Sequence, residues 1–178
     1  MRFSSEYRDL NRDLHRSNPD YGKAAYALAP WVLTLTKETG VRSILDYGCG
    51  KGTLKPALLA LDPDIRVVEY DPAVPGKDAD PQPCELVVCI DVLEHIEPDC
   101  LRDVLTHIQQ VGLAGAMFVI DTKPSGKTLA DGRNTHLIVE DQLWWEETLS
   151  RYFDIKFSSP LAPPPEPRLI ILCVRDIK

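Results

Sequence analysis

The stretch ILDYGCGKGTL, residues 44–54, decides the fold. An apolar run reaches Asp46, and then Gly48, Gly50 and Gly52 alternate with other residues. Glycine tolerates positive φ and admits close approach to the backbone where a β-carbon would block it. The residues before the glycines, VRSILDY, predict a strand. Residues 53–61 predict a helix, with Pro56 acceptable only because it falls in the first turn. A strand turning through glycines into a helix puts those glycines at the carboxyl edge of an α/β sheet, where ligands collect.

The rest of the chain alternates in the same way. Residues 6–14 read as a helix, and residues 21–39 as a longer one despite Pro30. IRVVEYD (65–71) is a strand. CELVVCID (84–91) is another, with the near-continuous apolar run of a strand covered on both faces. Residues 99–111 follow the helix-start signals Pro98 and Asp99. AGAMFVID (114–121) is a strand, and residues 139–151, with Trp144 and Trp145, a helix. YFDIKFS and RLIILCVRD form a hairpin across the proline-rich PLAPPPEP (160–167), which can continue neither a helix nor a central strand. Between Asp71 and Cys84 there is room for neither a full strand nor a full helix, so a third strand and its helix are expected to be shortened or missing. The pattern predicts an α/β, Rossmann-like, doubly wound and mostly parallel sheet of six to seven strands with an antiparallel C-terminal hairpin strand. Residues 1–178 are expected to form one domain, with residues 1–40 as N-terminal helices and lid and 41–178 as the core.

Composition bounds the function. With 178 residues, 44% hydrophobic and 26% charged, the chain suffices for one globular core. A net charge of -7 argues against a broad nucleic-acid-binding face. No apolar run is long enough to span a bilayer. The charged N-terminus has no signal-peptide core, so a cytoplasmic location is expected. Five cysteines without a CxxC pair make neither a disulfide framework nor a structural zinc site, and Cys89 and Cys173 read as core residues.

The glycine spacing separates three readings. A dinucleotide site wants a glycine where Thr53 stands, and a phosphate-binding P-loop wants one where Leu45 stands. The pattern that remains, acidic-x-G-x-G-x-G, resembles motif I of the class I S-adenosylmethionine-dependent methyltransferases. The resemblance extends through CELVVCIDVLEHIEP and covers residues 20–125 best. It implies that Gly48, Cys49, Gly50 and Gly52 wrap the methionine end of S-adenosylmethionine and that Asp46 holds its ammonium group directly or through water. Asp71, ending the next strand before Pro72, is placed for the ribose hydroxyls, with a plain turn residue as the alternative. The resemblance further implies Asp78 and Ala79 at the adenine, Asp91 and Val92 at the methionine and sulfonium, and Tyr21 closing over them, with Tyr7 and His15 as further lid residues.

Methyl transfer is an in-line displacement. The protein must align the nucleophile, exclude water and, for a hydroxyl acceptor, take up a proton. No metal is required, and none is expected. His95 and His136 are the candidate catalytic residues, although a histidine at the position of His95 also orients loops. His107, among apolar helix neighbours, reads as structural. The segment after the fifth expected strand carries Lys123, Lys127, Arg133, Asn134 and His136, with Trp144 beyond. Such a basic cluster in an acidic protein points to an anionic acceptor, while a solvated loop braced by Arg133 and His136 is the plainer alternative. The stretch DVLEH replaces the D/N-P-P-Y signature of DNA amino methylation, and Pro83-Cys84 precedes the strand that a cytosine-C5 nucleophile would follow. The expectation is therefore O-methylation of an anionic small molecule, sugar or lipid precursor by a monomer or homodimer. An RNA methyltransferase and a non-catalytic S-adenosylmethionine-binding accessory protein are the alternatives.

Overall fold

The structure, a computed structural model, describes residues 1–19, 21–161 and 168–175. Strand β1 (Ser43–Tyr47) runs into the glycine turn and on to helix α3 (Leu54–Leu61), counted after α1 (Ser5–Ser17) and α2 (Ala29–Thr39). Strands β2 (Arg66–Tyr70) and β3 (Cys84–Ile90) follow, then α4 (Leu101–Val111), β4 (Gly112–Asp121), α5 (Gln142–Leu149), β5 (Phe153–Pro160) and β6 (Arg168–Arg175). The described strands make one six-stranded sheet in the order β2-β1-β3-β4-β6-β5. β2, β1, β3 and β4 are parallel, and β6 is antiparallel to both of its neighbours. The expected proline-rich connection of the hairpin lies mostly outside the described residues.

Alternation along the strands sends side chains to two cores. Leu45, Val87, Cys89 and Phe118 pack with α4 and with Trp145 of α5, and Ile44, Val67, Val88 and Met117 pack with α2 and α3. Helices therefore cover both faces, and the four parallel strands aim their carboxyl ends at one edge. All five cysteines are buried and free, and Cys89 and Cys173 pack in the core as expected.

The expected helix over 21–39 is two elements. A 3-10 turn over Ala24–Leu28 precedes α2, whose first turn contains Pro30, where the missing N–H leaves no bond unmade. The expected helix over 139–151 is shorter because Asp141 caps it, accepting from the Trp144 amide at 2.9 Å. The third strand and its helix are missing: residues 71–83 run as turns, which leaves β2 at the sheet edge.

Candidate active site

At the carboxyl edge, Gly48, Gly50 and Gly52 have φ of +77°, +51° and +73°. Each is crowded as well as left-handed. A β-carbon would stand 2.4 Å from Val92 Cγ2 at Gly48, 3.0 Å from the Gly22 backbone at Gly50, and 2.0 Å from Glu69 Oε1 at Gly52. The glycines thus let three other segments close on the turn. Asp71 braces it from the end of β2, accepting from the Gly50 amide and the Ala73 amide, both at 2.9 Å. A carboxylate has about four acceptor sites, so capacity remains on both oxygens. Asp91, just after β3, has φ +52°, a left-handed backbone uncommon outside glycine that aspartate tolerates better than most residues.

A cavity of about 390 Å³ opens along this edge, within the size range of small-molecule sites. Gly48, Cys49, Gly50, Asp71, Pro72, Asp91 and Val92 all line it. Asp46 lies behind the turn, not on the cavity wall. It is 2% exposed, and its Oδ2 has no partner. Burial first, then the charge of Glu69, pushes its pKa up to about 7. A carboxyl in that condition is readily neutralised, by a proton or by a nearby cation.

Helix α1 lies over the edge. Ser4 caps it, accepting from the Tyr7 amide at 3.1 Å, while Glu97 accepts from the Ser4 amide at 2.7 Å and hydroxyl at 2.8 Å. Tyr7 donates its hydroxyl to the His95 carbonyl, and Lys51 donates to the His15 carbonyl. The Lys51 amide donates to the Gly22 carbonyl at 3.2 Å, which ties the Tyr21–Gly22 turn to the glycines. Tyr7, His15 and Tyr21 line the cavity together.

Asp78 and Ala79 are not brought to the site. Both are exposed, neither lines the cavity, and Asp78 accepts from the Gly76 amide within its own turn at 3.1 Å. The missing third strand removes the element that would carry them inward. Arg2 and Phe3 line the cavity instead, with Arg2 paired to Asp80 and to the ring of His107. No sequence signal announced this, because the contact joins chain positions about a hundred residues apart. His107 also meets the Tyr47 hydroxyl at 3.0 Å, in keeping with a structural role.

The segment after β4 divides. Lys127 and His136 line the cavity, whereas Lys123, Arg133, Asn134 and Trp144 do not. Asn134 accepts from the Ser125 amide at 3.0 Å and the His136 amide at 2.9 Å, and Arg133 pairs with Asp131 at 2.6 Å. Both residues brace the loop. Trp144 packs edge-on against Trp145 with centroids 5.0 Å apart. His95 Nδ1 meets the Thr135 carbonyl at 2.7 Å, and His136 Nδ1 meets the Lys123 carbonyl at 2.6 Å. Burial first and His136 next push the His95 pKa down to about 3, so His95 is neutral and weakly basic. Glu94, which sequence reading passed over, is fully buried beside them. Its signal was a carboxylate set among apolar residues in VLEHI.

This fold and its glycine edge define a class I S-adenosylmethionine-dependent methyltransferase. Residues 21–155 match the family described as a methyltransferase domain, and the chain belongs to that family. No curated protein matches the sequence. The DhpI–SAH complex structure is similar with a TM-score of 0.71 at 16% identity, covering 98% of this chain and 100% of that one. Burkholderia thailandensis 1,6-didemethyltoxoflavin-N1-methyltransferase, with 1,6-didemethyltoxoflavin and S-adenosylhomocysteine bound, gives 0.70 at 18% identity over 96% of this chain and 89% of that one. Synechocystis magnesium protoporphyrin IX methyltransferase with bound SAH gives 0.62 at 15% identity over 84% and 83%. No helix among the described residues is long and apolar enough to cross a membrane.

Proposed function

We propose that the protein transfers a methyl group from S-adenosylmethionine to an oxygen of a small anionic acceptor. The observation that carries this reading is the cavity wall in which the left-handed glycines Gly48 and Gly50 meet Asp71 and Asp91. When bound, S-adenosylmethionine supplies an electrophilic methyl carbon on its sulfonium. Gly48, Cys49 and Gly50 then hold its methionine end, with Gly52 shaping the turn behind them and Asp46 as the buried counter-charge for its ammonium. Asp71 and Pro72 take the ribose through the carboxylate's remaining acceptor capacity, and Asp91 and Val92 flank the reacting region. Tyr7, His15 and Tyr21 close over the edge and exclude water, which strengthens each polar contact inside.

The small acceptor is supported by the cavity volume and by structural neighbours whose ligands or names are small molecules, didemethyltoxoflavin and magnesium protoporphyrin among them. The anionic group is supported by Lys127 on the cavity wall, with its ammonium 5.3 Å from the centre of the Tyr21 ring. His95 and His136 are the residues proposed to engage the acceptor hydroxyl. A carbonyl only accepts, so each Nδ1 carries the proton and each Nε2 keeps its lone pair. The test is S-adenosylhomocysteine formation across matched acceptors: hydroxyl and amine compounds, each with and without a carboxylate or phosphate. Turnover of the anionic hydroxyl compounds, with KM raised by Lys127→Ala, is expected. Turnover confined to amines or to nucleic acid would overturn the reading.

A further inference from the structure

Methyl transfer needs no metal, yet the cavity wall holds a constellation that suits one. Glu94, His95 and His136 each offer a ligating atom within 4.8 Å of the others, and among the described residues they are the one such trio. All three line the same cavity. Three independent details turn this proximity into a built site.

The first is Glu94. Its side chain is fully buried; Oε1 accepts from the Asp121 amide at 2.9 Å, and Oε2 has no partner. An unsatisfied carboxylate oxygen in that position is costly, and a bound cation removes the cost. The second is the pair of imidazoles. Their Nδ1 atoms are fixed on the backbone carbonyls of Thr135 and Lys123, which orients both rings and leaves Nε2 as the lone-pair donor. Metal-binding histidines are held in this way, the second nitrogen on a carbonyl or carboxylate. The rings stand at 90° with centroids 4.7 Å apart, so the two donors are not stacked against each other. The third is the framing of the cluster. The Glu94 carbonyl accepts from the Leu137 and Ile138 amides at 2.7 and 3.0 Å, which pins the His136 loop to the turn that carries Glu94 and His95. Donors about 2.1 Å from one ion lie at most about 4.2 Å apart, so a small side-chain rotation closes the set.

We infer that Glu94, His95 and His136 form a binding site for a first-row divalent cation, with open coordination positions facing the cavity. Two imidazoles and one carboxylate favour such an ion over calcium or magnesium, which take all-oxygen shells. Resting on the methyltransferase reading, the open positions take the hydroxyl oxygen of the acceptor. The ion then stabilises the alkoxide as the hydroxyl proton leaves to solvent. The acceptor class narrows to compounds whose hydroxyl, alone or with a neighbouring oxygen, can ligate a cation.

The test is cobalt(II) titration of the untagged, chelator-treated full chain, read by visible absorption and calorimetry. One equivalent is expected to bind and to be displaced by zinc. His136→Ala, at a partly exposed loop position, and the conservative Glu94→Gln are each expected to weaken binding by more than about 100-fold, beyond the range for loss of a supporting partner. His107→Gln, outside the cluster, leaves cobalt binding unchanged. S-adenosylhomocysteine titration of the same samples shows that the variants remain folded and separates the two readings. Cofactor binding without stoichiometric cobalt binding overturns the metal site and leaves the methyltransferase reading standing. Cobalt binding without cofactor binding does the reverse. Equal cobalt affinity in wild type and His136→Ala also overturns the site.

Discussion

Gly48 and Gly76 both adopt left-handed backbone, at φ +77° and +86°, but only Gly48 is crowded: a β-carbon at Gly76 would have nothing within 4 Å. Gly76→Ala should therefore lose only the conformational term, about 1 kcal/mol in urea unfolding, and keep cofactor affinity. Gly48→Ala adds the clash with Val92 and should lose more than about 2 kcal/mol together with cofactor binding. Asp46 gives a prediction in pH. Its folded pKa of about 7 lies above the ordinary 3.8, so between these values the folded protein keeps a proton that the unfolded chain has released. Its contribution to stability is greatest below about pH 4 and is lost as pH rises through about 7. Asp46→Asn should flatten that slope and stabilise the ligand-free protein at pH 8, as thermal unfolding across pH will show. An ammonium ligand favours the charged carboxylate, so S-adenosylhomocysteine should bind wild type more tightly as pH rises over the same window.

At the scale of elements, the site depends on α1 lying across the strand ends. Ser4→Ala removes both the helix cap and the hydroxyl bond to Glu97, at a cost of about 1 kcal/mol. That cost should fall on α1 alone: amide exchange over Ser5–Ser17 should speed about fivefold while the sheet amides are unchanged. The KM for S-adenosylmethionine should rise with it. Gly115 of β4 tests the other side of the sheet. A β-carbon there would sit 2.2 Å from the Cys173 carbonyl oxygen, so Gly115→Ala should disrupt the β4–β6 pairing and lower the melting temperature sharply, whereas Gly126→Ala, in open space, should not. Much of this was legible in the sequence. β1, the glycine turn and α3 announce themselves by local pattern, and the short interval from Asp71 to Cys84 revealed the missing third strand. The docking of Arg2 and Phe3 was hidden because nothing local marks a long-range contact. For Arg133 the sequence leaves an acceptor ligand and a loop brace side by side, and for Asn134 it suggests an acceptor ligand, because polarity is visible in a sequence and the bonds to Asp131 and Ser125 are not. Glu94 was overlooked because burial, which makes its carboxylate informative, is a property of the fold.

Across the whole molecule, three parallel strands, β1, β2 and β3, deliver Asp46, the glycine turn, Asp71 and Asp91 to one edge, and two distant segments, α1 and the loop after β4, enclose it. No single segment makes the cavity, which is why an order of elements common to many α/β proteins acquires a chemistry only here. The central claim is that the glycine turn and Asp71 hold S-adenosylmethionine. Calorimetric titration with S-adenosylhomocysteine tests it most directly, with NAD as the control ligand and Asp71→Asn beside wild type. Saturable binding of S-adenosylhomocysteine alone, weakened about tenfold or more by the substitution, is the predicted result, in line with the loss of a charged hydrogen-bond acceptor. Absence of binding by the folded wild-type chain, or equal affinity in the folded variant, would contradict the account.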